Sequence, residues 1–254
     1  MTENSFAVVV PMFNEESGAL RCLEEITHVL RTFPERTELI IVDDASCDDT
    51  SNILREAKES FDQISVITHD HNLGYGAALQ TGGRAAFQQG YEYVVFMDSD
   101  LTNDPSFIRY LINRLESGYD IVKASRYIAG GGVRNVPSRR YWVSRIGNLI
   151  AQWLYRLPIR DCTNGFRAIR TRLLNRMDLR ERGFPVIMEE LYWAKYLHAE
   201  VCEVPYVLTS RAKTLRPSSF QYRPQVLYRY LKYPLLAFFG VAPSIIKQDG
   251  CEKN

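Results

Sequence analysis

Residues 93–100 read YVVFMDSD, a run of aliphatic and aromatic residues that ends in Asp98 and Asp100. Such a run, without alternating polar residues, is typical of a strand that is buried on both faces of a sheet. Four similar runs occur in the first 125 residues, at 6–10, 39–43, 64–68 and 120–124. The sequence therefore predicts five short, buried strands in its amino-terminal half.

The segments between these strands have the length and the periodicity of amphipathic helices. In the first segment Leu20, Leu23 and Ile26 recur at helical spacing, and Asp48 and Asp49 are candidate caps for the second helix. The predicted helices are 18–32, 50–61, 76–89 and 106–116, followed later by 141–155. Alternating strands and helices predict an α/β fold with a mostly parallel, twisted sheet and helices on both faces.

The composition is that of an ordinary globular protein, with 46% hydrophobic and 24% charged residues among 254. It excludes a disordered chain, a collagen-like repeat and a small disulfide scaffold. The five cysteines show no CxxC spacing, which predicts neither a zinc site nor a disulfide framework and favours a reducing compartment. No cleavable signal pattern opens the sequence, and Pro234 and Pro243 interrupt its longest apolar stretch, so no transmembrane segment is predicted.

The charges are unevenly distributed along the chain. The formal net charge of +1 disfavours a uniformly basic nucleic-acid-binding protein, yet residues 1–100 carry 18 acidic and six basic side chains. Between residues 126 and 182 there are 13 arginines and no lysine. Because the arginine fork binds phosphate in a bidentate manner, we expect a few of these arginines to hold a phosphate and most to coat helices. Simple segregation of surface charge is the alternative.

Polar residues follow the first four predicted strands, where an open α/β sheet binds its ligands. These loops read PMFNEE (11–16), DDASCDD (43–49), HDHNLGYGAA (69–78) and MDSD (97–100). Asp98 and Asp100 can bind one hard divalent cation together with diphosphate oxygens. Each loop alone could also be a simple turn. No P-loop and no glycine fingerprint of a dinucleotide-binding fold is present.

Seven motifs in order resemble those of the family 2, GT-A type glycosyltransferases, and most closely those of polyprenyl-phosphate (dolichol-phosphate) mannosyltransferases. They read PMFNEE, VDDAS, NLGYGAAL, MDSDLTNDP, ASRYIAGGGVRNVPSRR, DCTNGFRA and SRAKTLRPSSF, and they extend from about residue 6 to 220. The resemblance implies the GT-A fold and a glycosyltransferase that depends on Mg²⁺ or Mn²⁺.

The resemblance also implies roles for individual residues. Donor-binding residues would be Pro11, Asn14, Glu15, Asp43, Asp44, Gly74, Asp98, Ser99 and Arg211. The metal ligands would be Asp98 and Asp100, and the catalytic set would be Asp100, Arg126, Arg140 and Glu189. In that set the two arginines bind a lipid phosphate and Glu189 faces the donor sugar, while Gly165, Phe166 and Arg167 line the site. Thr102 replaces the usual glutamine, so the third metal contact is unassigned.

The chain shows no internal repeat or linker, which favours one elaborated domain. We expect a catalytic domain at 1–220, with a nucleotide-sugar-binding half at 1–125 and an acceptor-binding half at 126–220. Residues 221–254 are predicted to be a basic and aromatic tail that forms an amphipathic helix. The tail is expected at the cytoplasmic face of a membrane, with a helix packed on the domain as the alternative.

Three functions are compatible with these motifs. The first is inverting transfer of a hexose, preferably mannose from GDP-mannose, to a polyprenyl phosphate at the membrane surface. The second uses a UDP-sugar and a hydroxyl acceptor, and it would need Glu189 or Glu190 as a general base. The third is a catalytically silent nucleotide-sugar-binding module. A membrane-protein partner fits the first function, no nucleic acid is expected, and the oligomeric state is not predicted.

Overall fold

The computed structural model describes residues 4–134, 137–209 and 224–243, except for the side chains of Arg140, Pro224, Gln225 and Leu227. In the first half, strands and helices alternate as predicted, and the elements are β1 (Phe6–Met12), α1 (Ala19–Leu30), β2 (Thr37–Asp43), α2 (Thr50–Ser60), β3 (Ile64–Thr68), α3 (Tyr75–Gln88), β4 (Tyr93–Phe96), α4 (Ile108–Glu116) and β5 (Ile121–Ser125). Their ends lie within two residues of the predicted ones. The run YVVFMD at 93–98, which predicts the fourth strand, is a strand only as far as Phe96, and a turn follows at Ser99 and Asp100.

The second half has shorter elements and a different order. They are β6 (Gly132–Val133), α5 (Ser138–Tyr155), β7 (Arg167–Arg170), α6 (Thr171–Leu174), α7 (Val186–Tyr196), β8 (Val201–Pro205), β9 (Val207–Leu208) and α8 (Pro224–Phe238). The helix predicted at 141–155 begins three residues earlier, at Ser138. A parallel pair of two-residue strands, β6 and β9, forms a separate small sheet.

The main sheet has seven strands in the order β3-β2-β1-β4-β7-β5-β8. Only β7 is antiparallel to its neighbours, so the predicted α/β class with a mostly parallel sheet is confirmed. The chain moves outward from β1 to β3 and then returns to β4 on the other side of β1. Ligands bind at such a switch point, outside the carboxyl ends of the strands.

Alternate residues of β1 enter two hydrophobic cores. Ala7 and Val9 face the core that α3 and α7 cover, whereas Phe6 and Val8 face the core under α1 and α4. Each of these four side chains is fully buried, and truncating a large one such as Phe6 to alanine costs about 3–5 kcal/mol. Helices on both faces thus make the strands rigid, and the loops at their carboxyl ends inherit that rigidity.

The carboxy-terminal helix α8 packs against α5 and α7. Its Tyr233 and Ala237 are buried, while Tyr228 remains exposed on another face. Hydrogen bonds from Lys195 Nζ to the carbonyl of Ala237 (3.1 Å) and from the Tyr192 hydroxyl to the carbonyl of Val241 (2.6 Å) hold it to α7. The domain boundary at residue 220 stays a prediction.

Candidate active site

A cavity of about 380 Å³ opens at the carboxyl ends of β1 and β4. Four carboxylates line this acidic cavity, those of Glu15, Asp44, Asp98 and Asp100. The predicted residues that line it are Pro11, Glu15, Asp44, Gly74, Asp98, Ser99 and Asp100. The loops that follow separate strands therefore meet at one edge of the sheet.

Neighbouring hydroxyl groups orient both aspartates of the DSD segment. The Tyr75 hydroxyl donates a hydrogen bond to Asp98 Oδ1 over 2.9 Å. Asp100 Oδ1 accepts hydrogen bonds from the backbone N–H of Thr102 (3.0 Å) and from its hydroxyl (2.7 Å). Thr102 thus holds the carboxylate of Asp100 in place at the position where relatives of the resembled family carry glutamine.

The negative charge of the acidic cavity reaches the core beneath it. Burial raises the pKa of the Cys22 thiol above its ordinary value, and the carboxylates of Asp100, Glu15 and Asp98 raise it further. An anionic diphosphate would be repelled here unless a cation compensated this charge. Carboxylate oxygens are suitable ligands for Mg²⁺ or Mn²⁺, so the residues present fit such an ion. Among the described residues no three acidic, histidine or cysteine side chains form a metal cluster alone, and diphosphate oxygens would complete the coordination.

The two predicted aspartates at the end of β2 have different surroundings. Asp43 is fully buried, and its carboxylate accepts hydrogen bonds from the Ser46 N–H (3.0 Å) and the Ser51 hydroxyl (2.5 Å). Asp44 lines the acidic cavity and accepts the N–H groups of Leu73 and Gly74, each over 2.8 Å. Of the two, Asp44 is therefore the aspartate that can reach a ligand.

His69 lies directly behind Asp44. Its Nδ1 is 2.7 Å from Asp44 Oδ1, and its Nε2 is 2.9 Å from the hydroxyl of Thr81. Asn14, on the neighbouring loop, accepts a hydrogen bond from the Cys47 N–H over 2.7 Å through its side chain. Asn14 thus ties the β1 loop to the β2 loop, and it does not line the acidic cavity.

Gly74 starts α3 with a backbone conformation that disfavours any side chain. Its φ is +97°, and a Cβ atom there would lie 2.5 Å from the carbonyl oxygen of Arg182. The next glycine, Gly76, donates its N–H to the same carbonyl oxygen over 2.7 Å. Glycines are required here because two backbone segments meet closely at the edge of the cavity.

A second cavity of about 580 Å³ lies beside the first. Its walls are mostly apolar, and the aliphatic side chains come from Val143, Ile146, Ile150, Ala151, Ile187, Met188 and Leu231. Arg126 and Thr163 also line this apolar cavity. Tyr75, Asp98 and Phe184 line both cavities, so the two spaces adjoin at the DSD segment.

Arg126 is held by a buried carboxylate. Its Nε and one terminal nitrogen each donate to Asp161 over 2.7 Å, and the same terminal nitrogen donates to the Thr163 hydroxyl over 3.0 Å. Burial acts to raise the pKa of Asp161, but the charge and hydrogen bonds of Arg126 outweigh it and lower that pKa. Asp161 therefore stays ionised and directs the guanidinium toward the apolar cavity.

Several other predicted site residues lie away from the cavities. The carboxylate of Glu189 accepts the backbone N–H groups of Arg180 (2.9 Å) and Glu181 (2.8 Å), and burial raises its pKa. Phe166 is part of the hydrophobic core, and the buried Arg167 forms an ion pair with Glu190.

Gly165 does line the apolar cavity, as the resemblance implies for the GFRA segment. A Cβ atom at Gly165 would lie 3.0 Å from the Tyr75 hydroxyl and 3.5 Å from Asp98 Oδ2. Arg140 lies on the first turn of α5 with its side chain outside the described part of the chain, and Arg211 lies outside the described residues altogether. The donor and acceptor roles of these residues stay predictions.

Comparison with known proteins assigns the family. The sequence profile named Glycosyl transferase family 2 matches residues 7–177, which is more than half of the chain. This chain belongs to glycosyl transferase family 2. The family 2 chain is therefore a glycosyltransferase, and the predicted resemblance to this family is confirmed.

Two curated relatives have similar names, both of which refer to mannose, a phosphate and a lipid alcohol. The family 2 chain is 30% identical to a polyprenol monophosphomannose synthase of Mycolicibacterium smegmatis. The alignment extends over 208 residues, which are 80% of this chain and 77% of the relative. It is also 30% identical to a dolichol-phosphate mannosyltransferase of Pyrococcus furiosus, over 247 residues that are 95% of this chain and 66% of the relative.

Solved structures of another enzyme share the fold. The glucosyl-3-phosphoglycerate synthase of Mycobacterium tuberculosis, in complex with Mn²⁺, UDP and glucosyl-3-phosphoglycerate, superposes with a TM-score of 0.65 and 21% identity over 95% of this chain and 82% of that one. The structure of the same enzyme with Mg²⁺ and UDP also superposes with a TM-score of 0.65 and 21% identity, over 95% of this chain and 81% of that one. This likeness confirms the predicted GT-A fold of the family 2 chain.

Four residues near the cavities escaped the sequence-based prediction. Tyr75 belongs to the NLGYGAAL motif and Asp161 to DCTNGFRA, so a signal existed, but nothing in either motif indicated contacts with Asp98 or Arg126. Phe184, which stacks on Tyr75 with ring centroids 4.6 Å apart, belongs to none of the seven motifs. His69 could be linked to Asp44 only after the loops were placed in space.

Proposed function

We propose that this family 2 glycosyltransferase transfers a hexose from a nucleotide sugar to a polyprenyl phosphate, with inversion at the anomeric carbon and with a divalent cation. GDP-mannose is the preferred donor, and UDP-glucose or UDP-N-acetylglucosamine comes second. The printed names of the two curated relatives support the mannose and the lipid. The proposal rests above all on one observation, the meeting of an acidic and an apolar cavity at Asp98.

The acidic cavity is suited to the nucleotide diphosphate. Asp98 and Asp100 would hold Mg²⁺ or Mn²⁺, which supplies charge compensation for the leaving diphosphate when it is bound. Asp44 and Glu15 would contact the nucleoside, and Pro11, Gly74 and Ser99 would shape the remaining wall. Of the other proposed donor residues, Asn14 and Asp43 would act through the loops that they hold, and Arg211 would contact the donor directly.

The apolar cavity is suited to an isoprenoid chain with a phosphate head. Arg126 and Thr163 supply donors for phosphate oxygens, and aliphatic side chains of α5 supply the walls. A phosphate monoester has its second pKa near about 6 and is already ionised at neutral pH, so it needs no general base. What the protein must supply is orientation and positive charge, and Arg126, together with Arg140, would do both.

The positions of the acidic residues on α7 favour a phosphate acceptor over a hydroxyl acceptor. A hydroxyl acceptor would need a base within hydrogen-bond reach. Glu190 is bound to Arg167 in a buried ion pair, and Glu189 accepts two backbone N–H groups. Neither residue lines the acidic or the apolar cavity. We therefore propose that Glu189 is a positioning residue, which keeps the segment at 180–184 in place beside the donor.

The reaction would proceed by direct attack of the acceptor phosphate oxygen on the anomeric carbon. The donor lies in the acidic cavity and the acceptor approaches from the apolar cavity, so the attacking and leaving oxygens are on opposite sides of the sugar. A single displacement of this kind inverts the configuration. Tyr75 and Gly165, which adjoin Asp98 at this junction, would exclude water from the reacting atoms.

Exposed apolar side chains on α5 support a position at the cytoplasmic face of a membrane. Trp142 and Trp153 are 60% and 65% exposed, and Ile146 and Leu149 lie between them with about half of their surface exposed. Trp153 stacks on Phe238 of α8, so the two helices share this surface, and the exposed Arg139 and Arg156 flank it. Tryptophan and arginine side chains are suited to the headgroup region of a bilayer.

Attachment at the surface would also serve the chemistry. The α5 helix that exposes Trp142 and Trp153 also contributes Ile146 and Ile150 to the apolar cavity, so a lipid could enter directly from the bilayer. No helix in the described part of the chain has both the length and the apolar character that crossing a bilayer requires. A membrane-protein partner remains part of the proposal.

The decisive test compares two acceptors that differ only in the phosphate. The protein is incubated with Mn²⁺, labelled GDP-mannose and either polyprenyl phosphate or the corresponding polyprenol in detergent, and labelled lipid is extracted into organic solvent. We expect labelled lipid from the phosphate alone. Equal labelling of both lipids would refute the phosphate acceptor, and no labelled lipid with any donor of a GDP- and UDP-sugar panel would refute lipid glycosylation, as for a silent binding module.

A further inference from the structure

One short segment connects the acidic cavity with α8. Residues 180–184, here called the bridging segment, contact α3 on one side: the Gly76 N–H donates to the Arg182 carbonyl over 2.7 Å and the Gln80 amide to the Glu181 carbonyl over 3.0 Å. Its last residue, Phe184, lines both cavities. The segment therefore forms part of the wall between the proposed donor and acceptor.

Phe184 connects the bridging segment with Asp98 through contacts of Tyr75. Its ring stacks on Tyr75 with centroids 4.6 Å apart and an interplanar angle of 28°. The hydroxyl of Tyr75 donates to Asp98 Oδ1 over 2.9 Å. A shift of Phe184 would move the Tyr75 ring and weaken this hydrogen bond, because packed aromatic rings leave little free space.

The other side of the bridging segment binds α8 through the carboxylate of Glu181. Glu181 accepts hydrogen bonds from Arg229 (2.6 Å) and from the Tyr233 hydroxyl (3.0 Å), and Lys232 Nζ lies 3.8 Å away. The Glu181 side chain is only 8% exposed. Residues 229, 232 and 233 share one face of a helix, so the carboxylate meets a surface of α8 and not one flexible side chain.

This arrangement is more than a surface ion pair. Burial and the carboxylates of Glu189 and Glu181 raise the pKa of Tyr233, so its hydroxyl remains a donor at neutral pH. A buried carboxylate that loses its partners is strongly destabilised, whereas an exposed pair contributes little. Glu181 therefore makes the geometry of the bridging segment depend on the presence of α8.

We propose that Glu181 is a positioning residue that couples the docking of α8 to donor binding, through Phe184, Tyr75 and Asp98. With α8 in place, the bridging segment keeps Phe184 against Tyr75 and completes the donor site. The inference rests on the proposed function, because it takes the acidic cavity as the donor site. It adds that α8, part of the proposed membrane-facing surface, determines how well the donor is held.

Donor binding without transfer provides the test. The dissociation constant of GDP in the presence of Mn²⁺ is measured by calorimetry, well below the melting temperature, for the wild type, Glu181→Gln and Arg229→Gln. We expect both variants to bind GDP about 3- to 30-fold more weakly. Arg229→Lys, which keeps the charge, should restore most of the affinity. A residue that only stabilises the fold would lower the melting temperature and leave the affinity of the folded protein unchanged.

Glu92→Gln is the control, since Glu92 also forms an ion pair with an arginine, Arg170 (3.0 Å), just before the start of β4, at the opposite end of that strand from Asp98. It should leave the dissociation constant unchanged. The effect of Glu181→Gln on the dissociation constant of GDP should also be smaller in a protein that carries Tyr75→Phe, because both changes act through Asp98. Full additivity of the two changes, or unchanged GDP affinity in folded Glu181→Gln and Arg229→Gln, would overturn the coupling.

The two proposals fail in different ways. If the wild type binds neither GDP nor UDP with Mn²⁺, the donor cavity itself is refuted and the coupling falls with it. If the wild type binds and the two variants bind equally well, the proposed function stands and only the coupling is refuted. Arg229 is half exposed, so Arg229→Gln keeps the test decisive even if Glu181→Gln fails to fold.

Discussion

The two cavities that meet at Asp98 are built in different ways. The acidic cavity is lined by residues that follow the strands of the first hundred residues, with Phe184 as the one contribution from the second half. The apolar cavity is assembled from Arg126, α5, the 163–165 loop, α7 and α8, which are far apart in the sequence. A parallel sheet brings its loops together automatically, whereas helices reach a common site only through long-range packing.

Because the two cavities are built from largely different elements, the wall of each can be altered without replacing residues of the other. The donor side is rigid because buried strands support it on both sides. The acceptor side depends on single interactions such as the Arg126–Asp161 ion pair. Substitutions on the two sides should therefore produce separable changes in donor and acceptor kinetics.

The largest expected effect is on the donor side. Asp100→Asn should lower kcat for transfer by about 10²- to 10³-fold, because it removes one of two carboxylates that would hold the cation beside the diphosphate. Steady-state transfer to polyprenyl phosphate measures it. Asp62→Asn makes the same chemical change on an exposed turn and should have no effect. Wild-type turnover in Asp100→Asn would remove the metal assignment.

The acceptor side should respond in KM and not in donor binding. Arg126→Gln should raise the KM for polyprenyl phosphate by about 10- to 100-fold, since a hydrogen bond to a charged group contributes about 1.5–3 kcal/mol. The KM for the nucleotide sugar should change little, and Arg172→Gln on the exposed face of α6 serves as the control. Equal losses for both substrates would mean that the two cavities are not separable.

The membrane-facing surface should matter for attachment more than for chemistry. Replacing both Trp142 and Trp153 by alanine should weaken binding to anionic vesicles by about tenfold, because less apolar surface enters the headgroup region. Vesicle flotation measures the bound fraction. Tyr110→Ala removes an equally exposed aromatic residue from α4 on another part of the molecule and should bind like the wild type. Identical flotation of all three proteins would refute attachment through α5.

The last prediction concerns stability alone, at the buried Lys123 of β5. Burial and the nearby Arg167 lower the pKa of Lys123 to about 8, although Asp161, Glu190 and Cys162 act in the opposite direction. The pKa of this lysine is about 10.4 in the unfolded chain, so between about pH 8 and pH 10.4 the unfolded chain binds more protons here than the folded protein. The contribution of Lys123 to the free energy of unfolding therefore increases as the pH rises.

The comparison with Lys123→Met isolates that contribution. At about pH 7.5 the charged lysine is disfavoured in the fold, and this penalty falls by about 2 kcal/mol when the pH reaches about 9.5. The free energy of unfolding of the wild type, measured with guanidinium chloride, should therefore rise relative to the variant by about that amount. A constant difference between the two proteins at both pH values would contradict the lowered pKa.

Most of the first half could be predicted because its signals are local. The predicted strand 64–68 and the structure agree residue for residue, and the DSD aspartates lie at the cavity where the run YVVFM had placed them. The prediction was silent on β7, a four-residue strand that inserts between β4 and β5 in the opposite direction. Its arginines obscure the strand pattern, since the sequence does not reveal that Arg167 is buried in an ion pair with Glu190.

The candidate site shows the same limit. Asp43 and Asp44 are adjacent and chemically identical, so the sequence could not tell which of them reaches the cavity. The structure distinguishes them because Asp43 is enclosed by Ser46 and Ser51, whereas Asp44 faces the opening. Glu189 and Glu190 are a second such pair, and the sequence could not reveal that their carboxylates serve backbone N–H groups and a buried arginine.

The order of residues alone determined the alternation of strands and helices, the acidic loops at the sheet edge and the family to which the chain belongs. These features depend on hydrophobic periodicity and on short motifs, which act over a few neighbouring residues. Tertiary structure alone decided that Tyr75 touches Asp98, that Asp161 directs Arg126 and that Glu181 holds α8. Such contacts join residues 23 to 48 positions apart, and their partners are chosen by the packing of whole elements, which no local pattern encodes.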